Sequence, residues 1–314
     1  MAAISVIIPF FNAKEYVMPC IESLCRQTIQ EHIELVLIDD GSTDGSLSFI
    51  EKQLSHNGFQ GSIVYIKQPQ NLGVAEARKK GILKSSGDYI IFCDSDDWVD
   101  DNMYEIMLEK AESENYDMVV CDFMNIYSDK PPYISAPNYL PDMIQGLLLC
   151  KCSGSLCIKM VKRALFFSQG FQYPSHAFCE DFAYSIQLVL NADSIGYVPK
   201  PLYKYVHREG SIVQNQSDEA IKKRLNDNLV NHALVEQVIK NKGLDRKYAS
   251  ELIALRLTVK NSIRNHINKP GIYLKWLSLF PELTITIFKS RHISWRSRAA
   301  YFATMIGVYT ALNK

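Results

Sequence analysis

Several features are missing from this 314-residue chain, and each omission narrows what it can be. It has no net formal charge, with 34 Lys and Arg against 34 Asp and Glu, and no stretch resembling a nucleic-acid-binding module. Nucleic acid is therefore not an expected partner. Neither an internal repeat nor a low-complexity tract interrupts it. A Gly-rich phosphate loop with a basic residue, which a nucleotidyltransferase would want after its first strand, is absent; Pro9-Phe10-Phe11-Asn12 stands there instead. Residues 299–312 carry no charge, but a helix of that length spans ~21 Å, short of a hydrocarbon core of ~30 Å. No apolar leader precedes the first strand-like segment, and the eight cysteines (20, 25, 93, 121, 150, 152, 157 and 179) fall mostly in apolar contexts. The expectation is a cytoplasmic protein with reduced thiols. Cys150-Lys151-Cys152 with Cys157 lacks the paired spacing of a structural zinc site, so zinc is not expected.

With 47% apolar residues the chain can bury a large core. Its densest chemical signal is Asp88-Tyr89-Ile90-Ile91-Phe92-Cys93-Asp94-Ser95-Asp96-Asp97-Trp98. A short apolar strand ends there in three carboxylates within four residues, which repel one another. A divalent cation would neutralise them, and Asp-x-Asp puts two oxygen ligands on one side of an extended backbone. Hard oxygen donors suit Mn2+ or Mg2+, with substrate phosphates completing the shell. A solvated acidic turn leading into a helix near Asp101 is the plainer alternative.

Three other segments have the same form. Ile4-Ser5-Val6-Ile7-Ile8 stops at Pro9-Phe10-Phe11-Asn12; Glu34-Leu35-Val36-Leu37-Ile38 runs into Asp39-Asp40-Gly41-Ser42-Thr43-Asp44; Ser62-Ile63-Val64-Tyr65-Ile66 leads to Asn71-Leu72-Gly73-Val74-Ala75-Glu76-Ala77-Arg78. Helical patterns follow at 15–25, 46–53 and 74–85. Alternating strands and helices predict an α/β fold with a mostly parallel sheet flanked by helices. Ligands of such sheets bind beyond the carboxyl ends of the strands, where all four polar clusters fall.

Taken in order, these clusters resemble a family 2 glycosyltransferase of the GT-A fold over roughly the first hundred residues, departing at Lys79-Lys80. The resemblance implies a nucleotide-diphosphate sugar as donor and Mn2+ or Mg2+ as cofactor. Pro9, Phe10 and Asn12 would border the base, and Asp40 would accept from a base N–H. A carboxylate is acceptor-only, so it favours the imide N–H of uracil or thymine. Asn71, Arg78 and Ser95 join the nucleotide-sugar set, with Arg78 near ribose or phosphate. Asp94 and Asp96 would hold the metal. Glu180-Asp181 resembles the family's acceptor-side motif, making Asp181 the general base of an inverting transfer. His207-Arg208-Glu209-Gly210-Ser211 also resembles the family; His207 would be a ligand to diphosphate or metal, and Arg208 a phosphate contact. The segment 154–163 matches a helix between donor and acceptor regions.

Charge divides the chain. Residues 219–314 hold 17 Lys and Arg against 6 Asp and Glu, a net of +11, leaving 17 against 28, a net of −11, for residues 1–218. The expected organisation is a catalytic region at 1–216, with nucleotide-binding residues 1–98 and an acceptor half at 99–216, followed by a basic helical region at 217–314. Trp276, Trp295, Arg296 and Arg298 would anchor that tail peripherally on an inner membrane leaflet. A helix docking on the protein itself, or a dimer contact, is the alternative. The reading is an inverting UDP-sugar transferase acting on a glycan or lipid-linked hydroxyl; a catalytically silent nucleotide-sugar-binding protein is the rival, with a nucleotidyltransferase behind it.

Overall fold

The computed structural model describes residues 2–208, 215–269 and 271–307. Glu209-Gly210-Ser211, Pro270 and residues 308–312 of the uncharged run, all singled out in the sequence, lie outside the described residues.

Strands β1 (Ile4–Phe10), β2 (Ile33–Asp39) and β4 (Tyr89–Phe92) are buried along their whole length, while β3 (Ser62–Lys67) is partly exposed at the sheet edge. Runs that are apolar on both faces fold as strands covered on both sides. The covers are α1 (Met18–Cys25), α2 (Ser46–His56) and α3 (Val74–Lys84). Helix α1 starts later than the pattern suggested, because Pro19 suits a first turn and not a helix interior. These four strands pair in parallel, with Phe10 opposite Asp39 and Ile7 opposite Phe92. That register brings the ends of β1, β2 and β4 level, so the polar loops after them share one rim.

Beyond β4 the sheet turns mixed. Its other strands are β5 (Trp98–Val99), β6 (Met118–Tyr127), β7 (Tyr133–Ser135), β8 (Lys159–Lys162) and β9 (Ile195–His207). The order is β3-β2-β1-β4-β8-β6-β9-β5, with β7 on β6. β8 runs antiparallel to β4 and β6, whereas β6 and β9 form a long parallel pair. The helix expected over 154–163 is not there: the segment is a loop, then β8, then a short 3-10 turn. Val161 pairs with both Ile90 and Met118, and this two-sided pairing overrides local preference. Helices α4 (Met103–Ser113), α5 (Met143–Leu148) and α6 (Glu180–Asn191) pack on this half.

The basic region is helical: α7 (Asp218–Asn241), α8 (Ala249–Asn261), α9 (Ile272–Ser278), α10 (Leu283–Thr286) and α11 (Trp295–Met305). Val235 and Ile239 of α7 join the main core, while its Ile221 and Leu225 join a second core around Trp276, Leu283, Ile287 and Tyr301. Trp276 is fully buried there, with the Lys260 ammonium 4.4 Å from its ring, so it is no membrane anchor. Trp295 is 72% exposed. Among the described residues no helix is long and apolar enough to cross a membrane.

Candidate functional site

Loop geometry at the rim follows from side chains that bind backbone. Asn12, with φ at +48°, donates its N–H to Ser42 Oγ at 2.9 Å, and its Oδ1 accepts from Thr43 N–H at 2.9 Å. Asp40 is buried and accepts three bonds, from Gln68 Nε2 and Leu72 N–H on Oδ1 and from Gly73 N–H on Oδ2. It thereby folds the loop that carries Asn71 and leads into α3. Burial raises its pKa, and these donors oppose the rise. Gly41 (φ +79°) lies under this loop; a Cβ there would come within 2.5 Å of the Gln70 backbone.

The acidic turn after β4 divides its labour. Asp97 is structural: Oδ2 accepts from Tyr203 Oη–H at 2.5 Å and Oδ1 from Val206 N–H at 2.7 Å, which ties the turn to β9. Asp94 and Asp96 each give one oxygen to an arginine, Asp94 Oδ1 to Arg78 at 2.8 Å and Asp96 Oδ2 to Arg208 at 2.6 Å. Burial and the Asp94 charge raise the Asp96 pKa. Two carboxylates on one turn, each already recruiting a cation, fit a hard divalent ion. Among the described residues no group of three or more His, Cys, Asp and Glu forms a metal cluster, so the remaining ligands would be water or substrate phosphate.

Arg78 is the centre of the site. Only 3% exposed, it donates from one terminal nitrogen to Glu180 and Asp181, and from the other to Asp94. It was expected beside ribose or phosphate; the structure instead surrounds its guanidinium with carboxylates, and its Nε is buried without a partner. Glu180 and Asp181 occupy the first turn of α6, where the helix dipole favours them, after Cys179 at φ +63°. Burial pushes both carboxyls up, against the pull of Arg78. Asp181 Oδ2 also accepts weakly from Leu156 N–H at 3.4 Å. Beneath that loop the Lys159 ammonium is buried on the Ser153 and Ser155 carbonyls, and burial lowers its pKa to about 8.

These elements enclose a cavity of about 870 Å³. Pro9, Phe10, Asn12, Asp40 and Asn71 line it together with Arg78, Asp94, Ser95 and Asp96, and Asp181 and Arg208 also reach it. His207 does not line it. Its ring stacks on Tyr127 at 4.0 Å and its Nε2 contacts Asn125 Oδ1 at 2.9 Å, so the metal or phosphate role expected of it is not supported; Arg208 reaches the turn instead. The Arg208 guanidinium also lies 3.9 Å from the Tyr16 ring. Sequence reasoning missed Phe123, Asn125, Tyr205 and Lys223 in the lining. The first three carry only the alternating pattern of their strands, and Lys223 belongs to α7, outside the expected catalytic region.

A family model described as Glycosyl transferase family 2 matches residues 5–175. A cholesterol galactosyltransferase of Borreliella burgdorferi is 30% identical over 67% of this chain and 61% of its own length. The putative glycosyltransferase EpsH of Bacillus subtilis is 29% identical over 68% of this chain and 63% of its own. The chain thus spans somewhat under two thirds of each of these relatives. Among solved structures, S. aureus TarS residues 1–349 in complex with UDP-GlcNAc aligns with a TM-score of 0.59 at 17% identity, covering 85% of this chain and 83% of that one. The mannosyltransferase PcManGT from Pyrobaculum calidifontis, in complex with GDP-Man and Mn2+, aligns with a TM-score of 0.54 at 13% identity, over 97% and 86%. Both share the fold, a curled mixed sheet with helices on its faces.

Proposed function

The chain belongs to glycosyl transferase family 2, and we propose that it moves a sugar from a UDP-sugar to a hydroxyl of a glycan or lipid-linked acceptor, with inversion at the anomeric carbon. The observation that carries this reading is one guanidinium, Arg78, joining Asp94 of the acidic turn to Asp181 in a single cavity. A donor-activating carboxylate and a candidate base are thus held together.

Pro9, Phe10 and Asn12 border the base, and Asp40 Oδ2, engaged by one donor only, accepts from a uracil N–H. Asn71 and Ser95 line the path toward the phosphates, where Arg208 supplies a cation. Asp94 and Asp96 would hold Mn2+ or Mg2+, which would supply charge neutralisation for the diphosphate leaving group. Asp181 accepts the acceptor hydroxyl proton while that oxygen bonds to the anomeric carbon and the bond from that carbon to the diphosphate oxygen breaks. Arg78 opposes the burial that raises the Asp181 pKa and fixes the direction of its carboxylate. The basic tail rests on an anionic membrane surface, a reading supported by exposed Trp295 and Phe288, with Arg296 and Arg298 over their rings.

The test is titration of the purified protein with a panel of nucleotide sugars, with and without manganese, reading binding and slow donor hydrolysis. Metal-dependent binding of one UDP-sugar with release of UDP is expected. Absence of binding to every member of the panel overturns the proposal, and binding with no turnover to water or any acceptor reduces it to a nucleotide-sugar-binding protein.

A further inference from the structure

Asn125 is a buried amide whose two ends are treated differently. It is 4% exposed, lies in the cavity wall, and has its Oδ1 end engaged by His207 Nε2 at 2.9 Å, while its Nδ2 end is closed to water and has no acceptor. Buried donors without partners are rare in folded proteins, and each calls for a cause. His207 is itself held in place, stacked on Tyr127 at 4.0 Å and edge-on to Tyr205 at 4.7 Å. Phe123, two residues before Asn125 and on the same face of β6, meets the Tyr205 ring edge-on at 6.2 Å, and both rings line the cavity. Asn125 and Tyr205 are register partners in the β6–β9 pair.

The position of this group in the sheet identifies its side of the reaction. Strands β1 and β2, which carry the base-side loops, lie on one side of β4; β6 and β9 lie on the other, beyond β8. The acidic turn after β4 therefore separates Asn125 from Asp40. Two aromatic faces around one amide suit a pyranose ring, with its apolar C–H face on the rings and a hydroxyl at the amide.

We propose that Phe123, Asn125 and Tyr205 form the acceptor-sugar subsite, with the Asn125 amide bonding an acceptor hydroxyl and His207 acting as the positioning residue that orients it. The inference rests on the transferase reading above. Tyr205, 37% exposed, is the ring a bound sugar would displace to reach the amide.

The experiment uses the full chain and the methyl β-glycosides of glucose, galactose and N-acetylglucosamine as probes, in two arms. Saturation-transfer NMR reads glycoside binding without any donor, and UDP release from the best nucleotide sugar is measured with and without glycoside. At least one glycoside is expected to bind and to raise UDP release. Asn125→Ala should raise its KM or Kd about tenfold, the loss of one well-placed hydrogen bond, and His207→Ala should raise it less, with His207→Gln restoring part. If no nucleotide sugar is turned over, the transferase reading fails and the NMR arm still decides the subsite. Wild-type protein that binds no glycoside overturns the proposal. So does Asn125→Ala protein with unchanged glycoside affinity, or with donor KM raised by the same factor.

Discussion

Asp94 and Asp181 share one guanidinium. The Arg78 nitrogen that holds Asp181 also holds Glu180, while its neighbour on the same carbon holds Asp94 at 2.8 Å. The three partners come from the turn after β4 and the first turn of α6, elements far apart in sequence. One buried cation thus fixes the distance between the carboxylate assigned to the metal and the one assigned to the acceptor proton.

Arg78→Lys is expected to separate geometry from charge. A lysine keeps the cation but has a single nitrogen and no planar fork, so it cannot face three carboxylates in fixed directions. Arg78→Ala leaves buried carboxylates uncompensated, at a cost of about 3–5 kcal/mol. The lysine variant should retain most of the melting temperature yet lose kcat, and the alanine variant should lose both. Thermal melts beside turnover check this; a lysine variant with wild-type kcat contradicts the positioning role.

Asp181→Asn should leave donor binding near the wild-type value and lower transfer by about 10²–10⁴-fold, the usual worth of a general base. Asparagine keeps the shape and the contact from Leu156 but cannot take a proton. Calorimetric donor affinity measured beside single-turnover transfer is decisive. Equal loss in both would mean that Asp181 only supports the loop around Leu156.

Asp96→Ala should abolish the manganese dependence of UDP binding. It also frees Arg208, which Asp96 now holds at 2.6 Å, so weak metal-independent binding can persist through the arginine. Titration of UDP with and without manganese tests this. Tight binding by the variant that still requires manganese would place the cation elsewhere.

Acid should loosen the tail through His232. Its ring is buried on α7, 3.4 Å from Glu236 and near Arg256 and the Phe280 ring, and burial lowers its pKa to about 4 from 6.5. Between those values the unfolded chain binds a proton that the folded chain refuses, so stability falls as pH drops from 6.5 toward 4. The full loss is at most about 3 kcal/mol. Melting temperatures across this window should fall less steeply for His232→Phe than for wild type; parallel slopes would remove His232 from the account.

Much of the donor side was legible because its signals are local. Apolar runs ending in Pro9, Asp39, Asn71 and Asp94 needed only strand register to become one rim. Arg78 was harder to read, since its partners Glu180 and Asp181 lie 102 and 103 residues away and no local pattern announces a three-carboxylate cage. Strand β8 carries no local signal, because its pairing with β4 and β6 is a tertiary fact. His207 and Trp276 share a lesson: residue type suggests a ligand and an anchor, whereas the structure packs them against Tyr127 and Lys260. Asn125 had no motif at all.

The tail is expected to meet a membrane surface, and Trp295 is the tryptophan placed to report it, Trp98 being only partly exposed. Trp276 is fully buried, whereas Trp295 is 72% exposed at the start of α11. Trp295, Arg298, Phe302 and Ile306 recur at intervals of three and four, so they share one stripe of α11 and its last turn. Phe288, 60% exposed, stacks on Phe302 at 5.7 Å and widens that stripe. Residues 271–307 carry Lys275, Lys289, Arg291, Arg296 and Arg298 against Glu282 alone, a net of +4. Apolar rings among cations are the composition of an interfacial face on anionic lipid. Vesicles containing phosphatidylglycerol should therefore shift tryptophan emission to the blue and sediment the protein, with phosphatidylcholine vesicles giving less of both and salt weakening the effect. Deleting the tail is the wrong test, because Tyr301 of α11 is buried against Trp276 and its loss would open the second core. Phe288→Ser with Trp295→Ser leaves that core intact and should abolish sedimentation. If the double variant sediments as wild type does, the stripe is not the membrane face; if wild type ignores both vesicles but forms dimers that the variant does not, the stripe joins two copies of the chain.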